Sequence, residues 1–231
     1  EESHALTVQG PRKRNWIGEG SGFWNYGQGQ FFKQADGLPC FDEAEFVGTF
    51  PFARVNFKKD VLPLKVTLTA FNPFIPLDIR SSSFPSACLI YTLTNTSDKP
   101  VEAVLSWNLM NPVGEGKATK EEKAFNQFRK GEHCAGIFYT NERFTEDNDA
   151  YGTVALTTDW PDIDYTPRWQ PGAWFDPIQT FWNKFREDGS LTPDAATEPG
   201  PRMTGSLGCK VTLEPGESVD LPFNISWVFP K

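Results

Sequence analysis

The sequence predicts an all-β fold, a two-sheet antiparallel β-sandwich with one short helix around residues 177–188. Three observations carry that reading. Short segments alternate apolar and polar side chains, as a strand with one buried face requires. Turn-forming clusters separate these segments about every ten residues. The chain of 231 residues holds 20 Phe and 8 Trp, with 39% apolar and 23% charged side chains, which is bulk enough for one large core and unlike a disordered chain.

In "LKVTLTAF", Leu64, Val66, Leu68 and Ala70 share one face and Lys65, Thr67 and Thr69 the other. "ACLIYTLTN" aligns Leu89, Tyr91 and Leu93, and "VEAVLSWNL" aligns Val101, Ala103, Leu105, Trp107 and Leu109. The "TSDKP" turn between these two favours local side-chain bonding, so they are expected to pair as an antiparallel hairpin. The C-terminal part repeats the construction: "LGCKVTL" aligns Leu207, Cys209, Val211 and Leu213, "EPGES" turns, and "VDLPFNISW" aligns Val219, Leu221, Phe223, Ile225 and Trp227. Further strands are expected near "FVGTFPFARVNF", "CAGIFYTN" and "GTVALTTD", and loops over 111–133 and 193–206. The stretch "AFNPFIPLDIRSSSFPSA" at 70–87 removes backbone donors with its prolines, which suits a corner between two sheets, with Asp78 and the serines at 81–83 satisfying backbone groups locally.

The one helix is expected in "DPIQTFWNKFREDG". Asp176 suits a cap, Pro177 the first helical position and Gln179 the capping-box position. Ile178, Phe181, Trp182 and Phe185 follow at i, i+3, i+4 and i+7, so Trp182 reads as core, and Gly189 is placed to end the helix.

A net charge of −8 and a pI near 4.9 oppose nucleic-acid and anionic-lipid partners. No apolar run approaches the roughly 20 residues that span a bilayer. The first residues lack a signal-peptide pattern, and the missing initiator Met reads as an excised or processed piece. Two histidines, His4 and His133, preclude a three-His metal site and come with no G-x-S-x-G elbow. Cys40, Cys88, Cys134 and Cys209 form no C-x-x-C pair and read as buried free thiols. The glycine-rich run at 18–30 lacks the strand-to-helix context of a phosphate loop. The acids Asp159, Asp162 and Asp164, and Glu146, Asp147 and Asp149, match no full calcium loop and read as solvated loop charge, so no metal and no cofactor is expected. Trp160, Tyr165, Trp169, Trp174 and Phe175 are aromatic faces that suit packing under a loop first and stacking on sugar second.

In order along the chain, "FPFARVNF", "LPLKVTLTAFNPFIPLDIRSSSFPSACLIYTLTNTSDKPVEAVLSWNLMN", "FREDGSL" and "VTLEPGESVDLPFNISWVFP" resemble the N-terminal domain of glycoside hydrolase family 116, the family of bacterial β-glucosidases and the non-lysosomal glucosylceramidase. The most specific part is "P-F-I-P-L-D" followed by "S-S-F-P". The resemblance covers about residues 37–231, while residues 1–36 match poorly and are assigned to the same domain. It implies a β-sandwich followed, beyond residue 231, by a catalytic (α/α)₆ toroid that holds both catalytic carboxylates, so that no residue of this chain is expected to be catalytic. It also implies two partners, the catalytic domain of the same polypeptide and, through it, a glucoside or glucosylceramide substrate. Trp160, Trp169, Trp174, Pro76, Asp78, Ser82 and Ser83 are the candidates for carbohydrate or interdomain contact. An autonomous carbohydrate-binding module using the three tryptophans is the alternative, and an enzyme acting through Asp159, Asp162 or Asp164 a third.

Overall fold

In the computed structural model, residues 3–11, 26–27, 30–31, 38–115, 120–170, 176–191 and 198–230 are described. Among the described residues, thirteen strands, two α-helices and a short 3-10 helix at Lys120–Glu122 follow one another. The strands are β1 (Tyr26–Gly27), β2 (Gln30–Phe31), β3 (Glu43–Thr49), β4 (Phe52–Lys58), β5 (Leu64–Phe71), β6 (Ser86–Asn95), β7 (Val101–Met110), β8 (Ala124–Lys130), β9 (Ala135–Asn141), β10 (Thr153–Thr158), β11 (Ile163–Thr166), β12 (Thr204–Leu213) and β13 (Ser218–Val228). The α-helices are α1 (Ile79–Ser82) and α2 (Asp176–Asp188). An eight-stranded antiparallel sheet in the order β3-β4-β5-β6-β13-β10-β9-β8 faces a three-stranded sheet in the order β11-β12-β7, and β1 and β2 form a separate two-stranded ribbon.

The alternation in the sequence becomes the core between these sheets. Val66, Tyr91, Leu93, Leu221 and Phe223 point inward from the large sheet and Leu105, Leu109, Leu207, Cys209 and Leu213 from the small one. Tyr91, Trp107 and Phe223 meet across the gap with ring centroids 6.0 to 6.3 Å apart. Burial of each such large apolar side chain stabilises the fold by about 1.5–3 kcal/mol.

Strand pairing departs from the sequence expectation in a systematic way. β6 and β7 are not a hairpin: β6 pairs with β5 and β13, and β7 pairs with β12. β12 and β13 likewise lie in different sheets. Residues 96–100 and 214–217 are therefore arches that carry the chain from one sheet to the other. Conversely, β5 and β6 are hydrogen-bonded neighbours from Leu64↔Asn95 to Phe71↔Cys88, so residues 72–85 form a long hairpin loop and not an intersheet corner. The physical reason is that alternation records only which side chains face inward. Two strands facing each other across a core alternate in the same way as two strands lying side by side.

Asn95 locks the two arches together. It is 1% exposed. Its Nδ2 donates to the carbonyls of Lys99 (2.7 Å) and Leu213 (2.9 Å), while its Oδ1 accepts from the backbone N–H and the hydroxyl of Ser97. Its own N–H donates to Glu217 O and its carbonyl accepts from Gly216 N–H.

β8 occupies part of the span expected to be a loop. Its inward positions include Asn126, a buried amide that donates to the carbonyls of Pro167 and Met203, so the apolar signature of a strand is missing there. α2 forms where expected, with Ile178 buried against Trp169 and with Leu38 and Phe181 beside them. Trp182 is half-buried. Gly189 ends the helix at φ +67°, donating to Phe185 O. The side chains of Asp176 and Pro177 lie outside the described residues. All four cysteines are free, but of them only Cys209 is buried: Cys40 and Cys88 are half-buried and Cys134 is exposed, against the expectation of buried thiols. Burial pushes the Cys209 thiol up to about 11. Residues of the N-terminal segment join the domain: Thr7 bridges Cys40, Phe41 N–H donates to Gln9 O, and Leu6 and Val8 pack against the main core.

Candidate docking surface

The registers place the connections unequally. Pairs Phe52↔Phe71, Ser86↔Ser226, Thr153↔Val228, Ala124↔Asn141 and Met110↔Thr204 all lie toward one end of the sandwich. That end carries the β3–β4 turn, the long loops 72–85 and 142–152, the described residues 111–115 and 120–123, the helix α2, and residues 229–230. Short turns occupy the other end, at 59–63, 96–100, 131–134 and 214–217.

Loop 72–85 is built with its polar groups turned inward on itself. Asp78 caps α1: its Oδ1 accepts from Ser81 N–H (2.9 Å) and its Oδ2 from the Ser81 hydroxyl (2.7 Å). These Ser81 bonds, the backbone one first, hold the Asp78 carboxyl below its ordinary value of 3.8. The Ser82 hydroxyl donates to Ile75 O and accepts from Ile75 N–H, and the Ser83 hydroxyl donates to Ile79 O. Pro76 precedes Leu77, which sits at φ +69°, a left-handed conformation that is uncommon for a side chain of this kind.

The apolar side chains of the loop consequently face water. Leu77 is fully exposed at 104%, Ile79 at 83%, and Phe74, Ile75 and Phe84 are exposed too. Phe50, at the β3–β4 turn, is 79% exposed and meets Phe74 edge-on with ring centroids 5.5 Å apart. The surface continues to the chain's last strand, where Trp227, Val228 and Phe229 are exposed and Trp227 N–H donates to Pro85 O. Large contiguous apolar surfaces of this kind mark binding sites on soluble domains.

The structure separates the remaining candidates. Trp160 is half-buried against the main core and its Nε1 donates to Lys210 O (2.8 Å). Trp169 is 7% exposed, donates through Nε1 to Ser206 Oγ (2.7 Å) and stacks on Phe181 at 4.4 Å. Trp174 lies outside the described residues. Pro76, Asp78, Ser82 and Ser83 all belong to the loop just described. The outward Phe74, Ile75, Leu77 and Ile79 were missed as candidates, although their interleaving with capping serines was the signal available. Asp164 is a structural acid, accepting from Tyr165 N–H and Leu191 N–H and pairing with Lys210 at 3.2 Å. Asp159, Asp162, Glu146, Asp147 and Asp149 are exposed. Among the described residues, no group of three or more His, Cys, Asp or Glu side chains is placed to hold a metal ion, and no helix is long and apolar enough to cross a membrane.

The chain is a two-sheet β-sandwich whose long loops, with many of its exposed apolar side chains, gather at one end. The chain belongs to the family described as beta-glucosidase 2, glycosyl-hydrolase family 116 N-term, whose pattern matches residues 2–231. It is thus a glycosidase-associated domain, and the match includes residues 2–36 of the segment that the motif resemblance had set apart. Among solved structures, a protein named as a kojibiose phosphorylase from the human microbiome aligns at 11% identity and TM-score 0.40, over 82% of this chain and 20% of that one. A polysaccharide lyase aligns at 15% identity and TM-score 0.44, over 77% and 22%. A protein named as an aldose 1-epimerase from Klebsiella pneumoniae aligns at 11% identity and TM-score 0.37, over 80% and 53%. The chain therefore spans about a fifth of the first two and about half of the third.

Proposed function

We propose that this domain is the non-catalytic N-terminal part of a retaining β-glucosidase or glucosylceramidase-like hydrolase. It seats its loop end on the catalytic toroid of the same polypeptide, supports it and shapes one edge of its cleft. The supporting observation is the inverted loop 72–85, whose polar groups bond to one another while Leu77 and Ile79 stand in water. Neither side chain is buried against the described residues, whereas burial in an interface would recover about 1.5–3 kcal/mol for each. Its internal hydrogen bonds also pre-organise the loop, which reduces the entropy cost of docking. Family membership supports the identity of the partner, because an N-terminal domain of a glycosyl hydrolase works beside the catalytic one.

The catalytic chemistry on a glucoside or glucosylceramide then belongs to the partner, with Pro76, Asp78, Ser82 and Ser83 acting as the frame of the contact loop. Trp160 and Trp169 contribute through the fold, since both indoles are committed within the domain. The test is the Leu77→Asp, Ile79→Asp double variant in the full polypeptide. Its expected signature is an earlier unfolding transition of the catalytic domain and easier proteolysis between the domains, with the isolated chain melting unchanged. If the two domains unfold in the variant as they do in the wild type, the docking role is refuted.

A further inference from the structure

We infer that Gly152 is a positioning residue: it seats the ring of Phe229 and so fixes the direction in which the polypeptide leaves the sandwich. The inference rests on the reading that a catalytic domain follows in the same polypeptide.

β13 lies between β6 and β10 in the middle of the large sheet, and its end overruns both ladders. On the β6 side the last pair is Ser226↔Ser86, yet Trp227 N–H still donates to Pro85 O at 3.0 Å, and Pro85 is the last residue of loop 72–85. On the β10 side the last pair is Thr153↔Val228. One step further along that register sets Phe229 opposite Gly152.

Gly152 is buried, and its backbone is not in the left-handed region, so conformation does not demand a glycine there. Space does. A Cβ on Gly152 would overlap Cδ1 and Cε1 of Phe229 and would stand 2.9 Å from Val228 O. The ring therefore lies on the bare backbone of its cross-strand neighbour, the arrangement by which an aromatic side chain covers a glycine in a sheet. The seat is itself held in place. Gly152 O accepts from the Thr140 hydroxyl of β9 at 3.4 Å, and the turn before it is closed by Tyr151 N–H on Asn148 O and Ala150 N–H on Asn148 Oδ1.

The end of β13 is thus held from two sides, by the loop that carries Leu77 and Ile79 and by loop 142–152. Pro230 adds to this, because a residue before proline is confined to extended backbone. A chain leaving a strand held in this way does not swivel as a flexible tether does, so the exit and the docking loop keep a fixed relation. A following domain presented in one orientation loses less freedom when it docks.

Amide hydrogen exchange tests this in the chain and in the full polypeptide. In the chain, Phe229→Ala should speed exchange at positions 227–229 about tenfold, while Phe229→Tyr, which keeps the ring, should match the wild type. Unchanged exchange in β9 and β12 excludes misfolding as the cause. In the full polypeptide, Phe229→Ala should also speed exchange across 72–85 by about tenfold as the docked surface opens. Gly152→Ala should do the same, because its Cβ displaces the ring. If Phe229→Ala exchanges like the wild type at 227–229, the seat is refuted. If it loosens 227–229 but leaves 72–85 protected, whereas the Leu77→Asp, Ile79→Asp double variant exposes 72–85, the positioning role is refuted and the docking reading stands. If neither variant exposes 72–85, docking itself fails and the positioning role fails with it.

Discussion

The arch at Asn95 and the loop around Asp78 use the same chemistry to opposite ends. In each, a short polar side chain binds the backbone N–H and hydroxyl of a nearby serine, Ser97 in one case and Ser81 in the other. Asn95 does so while 1% exposed and spends its Nδ2 on a carbonyl of another strand, so its turn is welded into the core. Asp78 does so at the surface, and the turn it stabilises holds Leu77 and Ile79 out in solvent. Local polar capping therefore fixes a loop's shape without deciding its role. The role follows from what the shape leaves uncovered.

The largest effect that would break this comparison lies at the arch. Asn95→Ala removes four side-chain hydrogen bonds and leaves the Leu213 carbonyl and Ser97 N–H without those partners, which is expected to cost about 2–4 kcal/mol. Urea denaturation should show that loss with an unchanged m-value. Next comes Gly189→Ala. It forces a side chain into a left-handed conformation, with its Cβ 3.1 Å from Val104 Cγ2, and is expected to cost about 1–2 kcal/mol by the same measurement.

The exposed loop should behave differently. Leu77→Asp in the isolated chain is expected to change stability by less than about 0.5 kcal/mol, while in the full polypeptide it weakens the contact between domains. A loss of several kcal/mol in the isolated chain would make Leu77 a core residue and erase the contrast. The pH dependence sharpens it further. The Asp78 carboxyl titrates below its ordinary value in the folded loop, so its contribution is fully present above pH 3.8 and is lost as pH falls through the lowered folded value. Proteolysis within 72–85 by an acid-active protease should rise in that acid range, and Asp78→Asn should show raised cleavage at neutral pH as well. The smallest perturbation is chemical: a thiol reagent should modify exposed Cys134 first and leave Cys209, buried with its thiol raised to about 11, untouched until the chain unfolds.

Most strands were legible, β1, β2, β8 and β11 excepted, because alternation is a direct record of burial, and α2 was legible because its apolar spacing and terminal glycine are local. Pairing was not. β6 and β7 carry the same alternation whether they lie in one sheet or two, and the turn "TSDKP" is compatible with either geometry. β8 was hidden because Asn126 satisfies its amide inside the protein, where a strand pattern leads one to expect carbon. In the docking loop the prolines and serines were visible, but their direction was not. Only the bonds from Ser81 and Ser82 to Asp78 and Ile75 reveal that the polar side chains turn inward and the aliphatic ones outward.

The placement of the last two strands governs how the chain can acquire its structure. Without β12 and β13, the large sheet divides into two local meanders, β3 to β6 and β8 to β10, while β7 and β11 have no partner in either sheet. Residues 204–228 are a keystone inserted into the middle of both halves. During synthesis, a ribosome that has delivered every earlier strand has still delivered no closed sandwich, and the contacts that complete it include pairs more than a hundred positions apart, as in Leu213↔Val101 and Ser226↔Ser86. Such long-range closure is slow compared with local hairpin formation, so the nascent domain must keep two unfinished edges soluble until its C-terminal arch arrives.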